Sequence, residues 1–115
     1  MEYSLEKIQE IAHGDEAFIQ DMLVTFVENV TDDIETIQSL MPMEEWKEIA
    51  GIAHKLASRY AYMSADRLQY LACGIENSVL VHANLAGIAE KVNNLCDETV
   101  LLINLMKNDF RVKIE

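Results

Sequence analysis

The chain has 115 residues, half of them hydrophobic, which suits one domain (1–115) around one core and excludes global disorder. Its net charge of −11 argues against nucleic acid as a partner, because phosphate backbones are held by clustered Lys and Arg. No apolar stretch approaches the ~18–20 residues that span a bilayer. The opening Met1-Glu2-Tyr3-Ser4 lacks the basic and apolar character of a secretion signal, so a cytoplasmic protein without a membrane partner is expected.

Scarce breakers, four glycines and the single Pro42, favour helices. Ser4 is placed to cap a short first helix with Leu5, Ile8 and Ile11 on one side, which Gly14 would end. Asp15 then caps a long helix over 15–40, with Phe18, Met22, Phe26, Val30, Ile34 and Ile37 as one buried stripe. Pro42 suits the start of a third helix over 43–62. Ser64 is read as the cap of a fourth, whose stripe is Leu68, Leu71, Ala72, Ile75 and Val79. A turn at His82-Ala83-Asn84 leads into the last helix, which carries Leu85, Ile88, Val92, Leu95, Thr99, Leu102 and Met106 to near Asn108. The expectation is all-α: an antiparallel four-helix bundle with a short extra N-terminal helix, and a monomer. Cys73 and Cys96 fall in apolar helical segments without metal or disulfide spacing and read as reduced core or near-core residues.

Residues 47–67 stand out. Four basic residues (Lys47, Lys55, Arg59, Arg67) face two acidic ones, so the segment is +2 and the rest of the chain −13. At about 100° per residue, Trp46, Ile49, Ala53, Leu56 and Tyr60 form a narrow apolar arc, and His54 lies roughly 120° from its centre, toward solvent. Its neighbours three or four residues away are Ala50, Gly51, Ala57 and Ser58, with Ala61 a turn further on. All are small, whereas a solvated face normally carries residues such as Glu28, Asp32 and Glu35 of the second helix. A bare face around one exposed imidazole, ringed by Lys47, Lys55 and Arg59, suits a nucleophile that receives an anionic group from a docked partner. An imidazole is mostly uncharged at neutral pH and able to attack phosphorus. Phosphoryl transfer is governed by positioning and charge, and any magnesium it needs would come with the partner.

Around His54 the sequence resembles the histidine-containing phosphotransfer domain of multistep phosphorelays. Ala53-His54-Lys55-Leu56, Ala57-Ser58, and later Met63-Ser64-Ala65 with Leu68 and Glu76 are similar to that family's motif, and Gly14-Asp15-Glu16-Ala17-Phe18 with Leu23 and Phe26 to its opening helices. The resemblance spans about residues 3–108. It implies a phosphohistidine carrier without its own ATP site or cofactor. The donor would be the receiver domain of a hybrid sensor histidine kinase, and the acceptor the receiver domain of a response regulator. Carried onto this chain, His54 is the phosphoacceptor and Lys55 a phosphate-stabilising candidate, with Lys47, Ala50, Gly51, Ala57, Ser58, Arg59 and Ala61 as the docking face. Two departures stand out: the lysine three residues after the histidine is Ala57, and the following glycine is Ser58. Restoring lysine at 57 is expected to quicken transfer at little cost in stability, on what reads as a solvated flank.

The main rival is an adaptor, a similar bundle that docks a receiver or kinase without accepting phosphate; Ala57 is its best support. A metal site is disfavoured, since His13, His54 and His82 fall in three different elements and no helix carries a Glu-x-x-His pair. His13 and His82 read as solvated turn residues. A hydrolase or transferase would need a pocket with converging polar groups, for which such a bundle offers little room.

Overall fold

The computed structural model describes residues 3–81 and 85–110, with the side chains of Leu85 and Phe110 excepted. Five helices follow in order: α1 (Glu6–Ala12), α2 (Glu16–Leu40), α3 (Trp46–Tyr62), α4 (Asp66–Leu80) and α5 (Leu85–Phe110), with no strand among the described residues. The four long helices form the bundle, 46 × 26 × 21 Å overall, and α1 packs against α2. The closest association is between α3 and α4, consistent with the three-residue turn that folds one back along the other. The turn expected at 82–84, and with it the reading of His82, lies outside the described residues.

The apolar stripes meet in one core of Leu23, Phe26, Val30, Ile37, Ile49, Leu56, Leu68, Ile75, Leu95 and Leu102, among others. Each fully buried Leu or Ile contributes about 1.5–3 kcal/mol of transfer free energy. On α5 the whole expected stripe from Ile88 to Met106 is buried. On α2 the stripe begins later than its periodicity implies, because Phe18 and Met22 are only half-buried. In α1 the buried side chains are Ile8 and Ala12, while Ile11 is exposed.

Asp15 caps α2 as expected, accepting from the Phe18 N–H at 3.1 Å. His13 (φ 49°) and Gly14 (φ 85°) both take left-handed conformations in the preceding turn. Two start signals prove to be turn signals. Pro42 stands outside α3, where Met43 and Glu44 donate to Leu40 and Met41 carbonyls and Glu44 (φ 55°) is left-handed, delaying the helix to Trp46. Ser64 (φ 51°) likewise makes the α3–α4 turn rather than a cap, and α4 starts at Asp66.

Cys73 and Cys96 are free thiols, and burial pushes Cys96 up to about 11, which keeps it protonated and inert. Inside the core, the Tyr60 hydroxyl and Thr99 Oγ1 share a hydrogen bond at 2.7 Å, with the Phe26 ring edge-on to Tyr60. Tyr60→Phe should destabilise the bundle by about 1–2 kcal/mol, since Thr99 would lose its partner in a buried site; urea denaturation measures this, and an unchanged midpoint would mean Thr99 finds another partner.

Candidate functional site

His54 is the ninth of the 17 residues of α3, and its side chain is 68% exposed. The core holds Ile49, Ala53, Leu56 and Tyr60 on the opposite side of the helix, with Trp46 half-buried at its start. The imidazole is outside because the apolar arc must be inside. Its Nδ1 lies 2.9 Å from Oε2 and 3.2 Å from Oε1 of Glu76 on α4, a carboxylate that is itself 28% exposed. The ring is therefore held at one nitrogen, and no bond within the described residues engages Nε2.

The small residues around His54 divide between two flanks. Ala50 and Ala57, expected on the open face, are buried, each 8% exposed. Both lie about 40–60° to one side of His54 on the helical wheel, between the histidine and the core. That is the side on which Glu76 reaches the ring, and there α4 closes on α3; alanine allows the approach. Gly51 and Ser58 lie on the other side and are exposed, with Ala61 half-buried in line with His54. A Cβ built on Gly51 meets nothing within 4 Å, so packing within the chain does not require a glycine there.

The open flank borders a groove of 510 Å³ between α3, α2 and α1, more room than apolar stripes alone suggest. Buried Ile8, Phe26 and Met63 and half-buried Met22 line it from below, while His54, Lys55, Ser58 and Tyr62 stand along its edge. The half-buried Met22 that departs from the α2 stripe thus belongs to this groove. No polar side-chain atom buried among the described residues lacks a partner.

The basic character of the segment is also redistributed. Arg59 Nε donates to Asp33 Oδ2 on α2 at 3.1 Å, and Arg67 makes a two-point contact with Glu98 on α5. Arg59, read as a docking group for a partner's acids, is thereby engaged within the bundle, bracing α3 against α2. Lys47 and Lys55 are exposed and make no ion pair within the described residues. Lys55 shares the groove with His54, whereas Lys47 sits about 10 Å along the axis, seven residues away on the same face. No cluster of three or more His, Cys, Asp or Glu among the described residues could hold a metal ion.

Comparison with known families bears on this exposed, anchored histidine. The Hpt domain family matches residues 21–108, 88 of the 115 residues. The chain belongs to the Hpt domain family. Hpt domains are phosphotransfer modules that lack a kinase ATP site; they work in phosphorelays with receiver domains as partners. The match begins inside α2, so α1 and the run Gly14–Phe18, included in the resemblance above, precede it. Searches of curated proteins and of solved structures each found no match. No described helix is long and apolar enough to cross a membrane. Glu76 enters the resemblance above without a role: it lies 22 positions from His54, and only the packing of α4 on α3 joins them.

Proposed function

We propose that His54 is the phosphoacceptor, taking a phosphoryl group through Nε2 from the aspartyl phosphate of one receiver domain and passing it to the aspartate of another. The observation that carries this reading is the exposed imidazole, held at Nδ1 by Glu76, beside an open groove in a chain of the Hpt family. With Nδ1 engaged, Nε2 is the nitrogen free to attack phosphorus. In uptake, the Nε2 lone pair forms the N–P bond as the P–O bond to the donor aspartate breaks, its electron pair leaving with the carboxylate. Lys55, which lines the same groove as His54, is the cation assigned to steady the phosphoryl oxygens in this reading. Exposed Gly51 and Ser58 let the partner's backbone approach.

The chain in this reading is a cytoplasmic, monomeric relay. Its donor is the receiver of a hybrid sensor kinase and its acceptor the receiver of a response regulator. The test is incubation with phosphorylated receiver domains, wild type against His54→Gln. Label should appear on the wild type, be acid-labile and alkali-stable, and be absent from His54→Gln, which should stay folded because the ring is exposed. Label that survives in His54→Gln would move the site elsewhere; binding without label would favour the adaptor.

A further inference from the structure

We infer that Arg59 is a specificity-determining residue, a fork aimed from behind by Asp33 to take a carboxylate on the docking surface of the receiver. The inference rests on His54 being the phosphoacceptor and names what the receiver must bring to the groove beside it.

The groove is a break in the charge of the molecule. The chain has 20 acidic residues and a net charge of −11, yet no aspartate or glutamate among the described residues lines the groove. Lys55, Arg59 and the imidazole of His54 do. Asp33 stands behind this lining: it is 14% exposed and paired with Arg59, which is 32% exposed and belongs to the groove wall. The ion pair turns its cationic member to the groove and keeps its anionic member out of it. An occupant of matching charge is acidic.

The pairing uses little of the arginine. A guanidinium carries five N–H donors and no acceptor. Only Nε is engaged, by Asp33 Oδ2 at 3.1 Å, while Nη1 and Nη2 make no hydrogen bond within the described residues. Their donors remain, in the planar geometry that takes a carboxylate at two points. Holding Nε also removes much of the rotamer freedom that an unpaired arginine would lose on binding, so the fork is pre-organised. Lys55 is a different kind of group. Exposed and without an ion pair, it is a point charge on a flexible stem that attracts an anionic partner without fixing its register.

Position separates Arg59 from the chemistry. It lies five residues beyond His54, about 7.5 Å along the helix axis and about 140° round it, and Asp33 holds it toward α2. Its ligand is therefore an acidic side chain fixed on the receiver's surface, not the aspartate that exchanges the phosphoryl group. Two separated contacts, one at Nε2 of His54 and one at this fork, set the orientation of a docked receiver, which either alone would leave free to turn.

The experiment measures association and dissociation of the whole chain with the receiver domain that exchanges phosphoryl groups with His54. Arg59→Lys keeps the charge but not the fork, so the complex should form at close to the wild-type rate and dissociate about tenfold faster or more. Asp33→Ala leaves the fork unaimed and should also hasten dissociation. Asp33→Asn, which keeps an oxygen for Nε, should bring the rate back toward the wild type. On the receiver, alanine in place of each acidic residue of the docking surface should find one whose loss hastens dissociation as much as Arg59→Lys and is not worsened by it. That receiver-side loss is read on the wild-type chain, so it decides the matter even if Arg59→Lys loosens the α2–α3 contact. Wild-type dissociation from Arg59→Lys, or losses that simply add for every receiver acid, overturn the role of Arg59 alone. A wild-type chain that takes up no phosphoryl group, from phosphoramidate or from any receiver, overturns the phosphoacceptor reading and this inference together.

Discussion

Gly51→Glu and Ser58→Arg should each abolish phosphoryl transfer from a receiver while leaving the bundle folded and its His54 still open to a small-molecule donor. Both positions are exposed on the flank of α3 that borders the groove, and Ser58 lines the groove itself. At Gly51 a Cβ meets nothing within 4 Å, so a longer side chain strains nothing inside the chain. Replacing a mid-helix glycine should raise stability by up to about 1 kcal/mol. The loss would fall entirely on the partner. A receiver site built around an aspartate and its phosphate is anionic, and a new carboxylate beside His54 repels it by several kcal/mol, beyond about 100-fold in rate. Arginine at 58 acts by bulk, filling the edge along which the partner must slide. The control separates docking from chemistry: phosphoramidate should label both variants at close to the wild-type rate, since it needs no docking surface. Wild-type transfer from receivers would place the partner on another face.

The helices were legible in the residue pattern because long amphipathic stripes, such as Ile88 to Met106 on α5, have one stable arrangement. Asp15 was legible as a cap because its side chain acts within its own turn. Pro42 and Ser64 were misplaced for a related reason: each is a residue that starts helices, but the left-handed Glu44 in one turn and Ser64 itself in the other postpone the starts to Trp46 and Asp66. The exposure of His54 followed from the core on the far side of its own helix. What surrounds it did not. A helical wheel treats both flanks of a residue alike, and only the closure of α4 makes Ala50 and Ala57 buried while Gly51 and Ser58 stay open. The contacts of Arg59 and Glu76, residues the sequence did single out, were hidden in the same way, since their partners, Asp33 and His54, lie 26 and 22 residues away.

That asymmetry reverses the expected outcome of Ala57→Lys. On a solvated flank the substitution would restore the family's lysine at almost no cost; at a site only 8% exposed, it forces a four-carbon stem and an ammonium into the α3–α4 contact. The stem must lift outward to keep its charge in water, which displaces the close packing that alanine permits, and overpacking of this kind costs about 1–3 kcal/mol. Where the ammonium emerges adds a second effect. Position 57 is on the flank where Glu76 reaches His54, so the new cation competes with the imidazole for one carboxylate. Ala57→Lys should therefore lower the urea midpoint and slow transfer. Lys55→Ala makes the contrasting case: on the exposed groove edge it should change stability by no more than about 0.5 kcal/mol, yet weaken transfer or shorten the phosphohistidine lifetime by removing an unpaired cation that shares the groove with His54. Denaturation curves and single-turnover transfer, run on the two variants side by side, separate these outcomes. An Ala57→Lys domain as stable as the wild type and faster in transfer would mean that α4 yields at this point and that the phosphoryl group, not Glu76, claims the new charge.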